Sequence, residues 1–139
     1  MSVFSALAIS GSGADAMQTW LDTSAGNVAN MNDATTVGSR AYGTQTPVLV
    51  PVPGTPSPTG AAPGDGVAVS KIAIGTTKGV IAYEPTSPLA NTKGEVELPN
   101  VSIGTQMTDM ISAQENYQAD TVMMQRAIQA YNSALTIGS

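Results

Sequence analysis

The stretch VSIGTQMTDMISAQENYQADTVMMQRAIQAYNSALTIGS, residues 101–139, contains no proline and repeats one feature along its length. Ile103, Met107, Met110, Gln114, Tyr117, Thr121, Met124, Ile128, Tyr131 and Leu135 follow each other at alternating steps of four and three, nine steps in all. Only Gln114 and Thr121 break the apolar run. One seam position per 3.5 residues is the period of a helix that lays one side against another helix. Pro99-Asn100 marks the start, with Asn100 or Ser102 available as the cap, and Gly138 marks the end. The predicted helix has about 35 residues and is roughly 50 Å long at 1.5 Å per residue. That exceeds what a compact globule of this size uses, and points to a coiled coil or filament element.

Its partner is legible at the other end of the chain. Residues 1–34 also lack proline, and Val3, Leu7, Ser10, Ala14, Met17, Leu21, Ser24 and Val28 repeat the four-three alternation. Small residues dominate this seam, so a second helix can approach closely. Gly11, Gly13 and Gly26 each weaken the isolated helix by about 1 kcal/mol, which predicts a helix that forms only when packed. All nine prolines fall between residues 35 and 100. Pro47 to Pro63 is rich in Pro, Gly and Thr and reads as an extended loop. Strand candidates accompany it at Val48–Val52, Val67–Ile74 and Gly79–Tyr83, with another short one at Glu95–Leu98 after the turn-like Asn91-Thr92-Lys93-Gly94. The expected fold is mainly α: an N-terminal helix (1–34) and a C-terminal helix (101–139) packed as a coiled-coil-like pair, with a β and Pro-rich insertion (35–100) between them.

Composition removes whole classes of function. Six aromatics in 139 residues leave little for a large conventional core. Five basic residues against ten acidic, with no basic run, disfavour nucleic acid and anionic membrane surfaces as partners. With neither Cys nor His there are no disulfides, no thiolate or imidazole metal ligands and no imidazole base. No cofactor is expected. Met1 to Ala8 lack the basic start and apolar run of a secretory signal, and no stretch has transmembrane length. Residues 1–34 carry three Asp and no cation, and residues 101–139 carry three acids and Arg126. Two acidic helices do not attract, so apolar burial has to join them. For catalysis, the best carboxylate pair is Glu95/Glu97, two apart and on one side of a strand, in a segment with no pocket or phosphate-loop signature. An enzyme is not expected.

Four stretches, in order, resemble one family. Ser24-Ala25-Gly26-Asn27-Val28-Ala29-Asn30 resembles the Asn-Leu-Ala-Asn signature near the N-terminus of flagellar rod and hook proteins, with Val28 in place of the usual Leu. Tyr83-Glu84-Pro85-Thr86-Ser87-Pro88-Leu89-Ala90 and Gly94-Glu95-Val96-Glu97-Leu98-Pro99-Asn100-Val101 are similar to consecutive stretches of the proximal-rod proteins of that family. Asn116-Tyr117-Gln118-Ala119-Asp120 resembles their Tyr-Gln-Ala-Asn signature, with Asp120 where the family usually has Asn.

The resemblance implies a structural subunit of the flagellar rod, built on paired terminal helices that stack helically into a hollow tube. The tube transmits motor torque and encloses the export channel. It further implies export without a cleaved signal through the flagellar type III apparatus, and assembly in the periplasm. The implied partners are copies of itself, other rod proteins, the MS-ring or export-gate adaptor and neighbouring basal-body components, without membrane insertion. The expected subunit-interface residues are Leu7, Ala14, Met17, Leu21, Asn27, Val28 and Asn30 on the first helix. On the second they are Ile103, Met107, Met110, Gln114, Tyr117, Gln118, Thr121, Met124, Ile128, Tyr131 and Leu135. Asn27 and Asn30 also suit a helix end. Competing readings are a monomeric two-helix hairpin with a β cap, a β-type binding module, and a subunit of another helical secretion or tail-like assembly.

Overall fold

The computed structural model describes residues 3–54 and 64–137. Helix α1 spans Val3–Ala29, strands β1 Gln45–Val52, β2 Gly66–Ile74, β3 Val80–Tyr83 and β4 Glu95–Leu98 follow, and helix α2 spans Ile103–Ile137. The expected Gly138 stop and the middle of the Pro-rich loop, 55–63, lie outside the described residues.

The two helices pack against each other over most of their length and run antiparallel. Asn27 near the end of α1 meets Gln106 near the start of α2, and Phe4 meets Tyr131 edge-on with ring centroids 5.6 Å apart. Ser102 caps α2: its hydroxyl accepts from Thr105 N at 3.4 Å, while its carbonyl takes the first helical bond from Gln106 N at 3.0 Å. α1 is covered a second time, by the β1–β2 hairpin. The joint is Ser12, whose hydroxyl donates to Ile9 O (2.7 Å) and accepts from Val67 N (3.1 Å). A Cβ at Gly66 would collide with that hydroxyl, so the strand enters at a glycine. Packing on two sides supplies what the helix's own glycines withhold.

β1 and β2 form one antiparallel pair, with Gln45 opposite Ile74 and Val52 opposite Gly66. The register shifts after Val48, where Ser70 becomes the extra residue of β2 and its hydroxyl bonds Val48 O at 3.0 Å. The strand candidate Val48–Val52 falls inside β1, which thereby takes in the start of the Pro47–Pro63 stretch that also read as loop. The strand tolerates Pro47 and Pro51 because β1 pairs with β2 alone among the described strands and both can turn their donor-less nitrogens to the open edge. β3 and β4 form a second antiparallel pair, Val80 opposite Leu98 and Tyr83 opposite Glu95. Gly94, at φ +75°, closes its turn with a bond from Gly94 N to Asn91 O. This second hairpin stands clear of both helices among the described residues. It is tied to the chain leaving α1 through Thr35, which exchanges backbone bonds with Glu97 at 2.8 and 2.9 Å.

Candidate assembly interface

Four layers join the helices. Ala6 lies with Ala127, Gly13 with Asp120, Trp20 with Ala113 and Asn27 with Gln106. Each set advances by seven residues, one helix upward and the other downward. The seam read from the sequence shares Val3, Ser10, Met17 and Ser24 on α1 and Met110, Tyr117 and Met124 on α2, all buried or half-buried. At the alternate positions it chose Leu7, Ala14, Leu21 and Val28, and Met107, Gln114, Thr121 and Ile128. The layers use the residue immediately before each of these. Both helices are therefore turned by one position, toward Ala6 and Gly13 on α1 and Ala113 and Ala127 on α2. The reason is steric: a Cβ on Gly13 would overlap the Asp120 carboxylate, so the axes approach where side chains are absent or short.

That rotation sorts the expected interface residues into two groups. Ala14 and Asn27 are buried, and Leu7, Met17, Leu21, Val28, Asn30, Met110, Tyr117, Thr121 and Met124 are half-buried. Ile103, Met107, Gln114, Gln118, Ile128, Tyr131 and Leu135 face solvent, joined by Ile111 and Val122, which the sequence reading passed over. Met107 is 54 %, Ile111 59 % and Leu135 56 % exposed. α2 thus keeps a long apolar face outside the hairpin, more than isolated surface residues would produce.

Asn27 is the polar centre of the hairpin, at 1 % exposure. Its Nδ2 donates to Gln106 Oε1 and to Gln45 O, each at 2.8 Å. Its Oδ1 accepts from Gln45 N at 2.8 Å and from the Tyr42 hydroxyl at 2.9 Å. One amide thereby fastens the end of α1, the start of β1 and the first turn of α2, with its bonding capacity filled inside the chain. Burial pushes the Tyr42 hydroxyl above its ordinary pKa, and the adjacent Asn30 amide partly offsets this. Asn30 itself bonds back to Gly26 O at 2.8 Å, closing the end of α1.

Two acids are perturbed. Burial against α1 raises the Asp120 carboxyl above its ordinary pKa. Glu97 is lowered, because the Gly38 and Gly79 amides donate to Oε2 and Oε1 at 2.8 and 2.7 Å; burial opposes them and Lys78 adds a smaller lowering. Gly38 sits at φ +87°, which turns its N–H toward that carboxylate. Glu95 accepts from Asn91 Nδ2 at 3.0 Å. The carboxylate pair weighed for acid–base work is thus engaged in holding turns. Among the described residues no acidic group is arranged to hold a metal, and no helix is long and apolar enough to cross a membrane.

Comparison with known proteins agrees with this layout. The family described as the C-terminal part of flagellar basal body rod FlgEFG proteins matches residues 92–137, the last strand and α2. The flagellar basal-body rod protein FlgC of Escherichia coli O6:H1 is 31 % identical over 138 residues, 99 % of both chains. The chain belongs to the FlgC family of flagellar basal-body rod proteins. FlgC of Borreliella burgdorferi is 29 % identical over 99 % of this chain and 98 % of its own. FlgC of Aquifex aeolicus is 32 % identical over 86 % and 85 %. In this FlgC-family chain, the Asn27 signature is the internal fastening of the fold, and the stretch from Tyr83 to Val101 builds the second hairpin and its exit into α2.

Proposed function

We infer that this chain is a structural subunit of the flagellar basal-body rod, of the proximal type, and that it builds the rod through its paired terminal helices. The observation that carries the reading is a likeness to FlgC that runs the whole length of both chains. It therefore includes both helices and everything between them. The open face of α2 supports it physically: among the described residues Ile103, Met107, Gln114, Gln118, Ile128 and Leu135 stay exposed, and burial against neighbours would stabilise at roughly 25 cal/mol per Å².

On this reading, 1–34 with 101–139 form the rod core and pair in coiled-coil fashion, and 35–100 is an attached module. Leu7, Ala14, Met17, Leu21, Asn27, Val28 and Asn30, with Met110, Tyr117, Thr121 and Met124, shape the surface from within. Copies of the chain and other rod proteins stack into a tube that carries torque and encloses the export channel. The MS-ring or export-gate adaptor lies at one end. Export proceeds without a cleaved signal, and assembly takes place in the periplasm. The subunit works by packing and has no catalytic role.

The test is mass spectrometry of detergent-purified basal bodies beside a deletion strain. The chain is expected in the rod fraction, with rods and motility lost on deletion. Its absence there, with motility intact, would remove the reading and favour another helical assembly.

A further inference from the structure

Outside the helix pair, a groove of about 460 Å³ lies on the second hairpin. One wall is the loop 37–40 and the other is 77–79 with Ile81; the two are joined beside it by a bond from Ala41 N to Thr77 O at 2.9 Å. Arg40 and Val37 line one wall and Lys78 and Ile81 the other, with Val37 and Ile81 41 % and 51 % exposed. These are two of only five cations in a chain of net charge −5. Glu97 forms the floor, but both its oxygens are already held by Gly38 N and Gly79 N. Among the described residues, Arg40 makes no ion pair, and Lys78 acts on Glu97 only from beyond contact distance.

The opposite imbalance lies on α1, which has acids and no cation. Asp15 and Asp22 are both exposed, seven residues apart, hence on one side of the helix and about 10 Å from each other. Asp22 accepts only from Gln18, and Asp15 meets no cation among the described residues. Among the described residues the second hairpin touches neither helix, so the two surfaces stay apart within one chain.

We propose that this groove docks the Asp15/Asp22 side of α1 of a second copy of the chain, Arg40 and Lys78 taking the two carboxylates and Val37 and Ile81 packing on the helix between them. The two surfaces differ, so the contact is head-to-tail and propagates along a series of subunits rather than closing a dimer. It rests on the rod-subunit reading and adds to it which surface meets which.

The chain has no cysteine, so a unique pair can be placed beside the charges without removing them. Gln18→Cys with Ser39→Cys, expressed in the deletion strain and oxidised on intact basal bodies, should give a ladder of crosslinked chains of this protein. Either single variant should give none. No crosslink in assembled rods, a product that stops at dimers, or a crosslink to a protein of another mass would each overturn the proposal. Independently, Arg40→Glu with Lys78→Glu should cut incorporation about tenfold or more, since like charges then face each other. Adding Asp15→Lys with Asp22→Lys should restore it, and failure to restore it would overturn the pairing. If the deletion strain itself keeps its rods, the functional reading falls; if it loses them while the crosslink and charge variants behave as wild type, this docking alone falls.

Discussion

Replacing Asn27 tests the arrangement at its most constrained point. Asn27→Ala removes four hydrogen bonds to Gln106, Gln45 and Tyr42, all between 2.8 and 2.9 Å. At about 1 kcal/mol net each, the loss would be about 4 kcal/mol. Gln45 and Tyr42 are half-buried and recover some bonding from water, whereas Gln106, 5 % exposed, keeps an orphaned oxygen. Ala is also the better helix former, by roughly 0.5 kcal/mol. The net expectation is a destabilisation of about 3 kcal/mol in urea unfolding followed by the helical circular dichroism of the purified chain. Asn27→Asp is the control for size. It keeps the acceptors but turns a carboxylate toward Gln45 O and Gln106 Oε1, so it should cost as much at neutral pH and recover on acidification, when the carboxyl can donate. A loss under about 1 kcal/mol for both variants would refute the view that this amide fastens three elements, because one average hydrogen bond would then account for it.

Asp120→Asn should stabilise the chain at neutral pH. A carboxyl raised above its unfolded value costs stability as pH climbs from that value, near 3.8, through the folded one, so the two urea midpoints should converge in acid and separate above it. Glu97 has the opposite sign. Its lowered carboxyl contributes stability above the unfolded value near 4.5 that is lost as pH falls through the folded one, and Glu97→Gln should flatten that acid limb of the stability profile. Ile111→Asp, on the open face of α2, should change the urea midpoint by no more than about 0.5 kcal/mol yet block recovery of the chain in basal bodies. Tyr117→Asp, half-buried on the seam, should instead lower the stability of the hairpin itself by about 2 kcal/mol or more.

The long helices and the strands around the Pro-rich segment could be read from the chain because their signals are periodic. Nine regular steps leave little choice for α2, and the strand candidates at Val67–Ile74 and Glu95–Leu98 fall on β2 and β4. The rotation of the seam could not be read the same way. Hydropathy favours Ile128 over Ala127, whereas close packing selects the small residue and leaves the large one outside. Gly13 was visible as a weak helix former, but its use as the place where the Asp120 carboxylate fits against α1 depends on which residue lies across from it. Asn27 was singled out through a motif, and its partners Gln45 and Gln106 lie 18 and 79 positions away, beyond any local pattern. The groove residues went unnoticed for the same reason: Arg40 and Lys78 are unremarkable alone and meaningful only once two loops bring them to one hollow.

A seven-residue repeat is ambiguous about alignment. Sliding α2 along α1 by one repeat, about 10 Å, would still match helix to helix, but it would set Trp20 over Asp120 and Asn27 over Ala113. The indole would then confront a carboxylate, and the Asn27 amide would bury donors with nothing on α2 to receive them. The polar layer at one end of an otherwise forgiving stripe therefore acts as a pawl. It admits one offset between the two ends of the chain, and so fixes the length of the unit that any stack of such subunits would repeat.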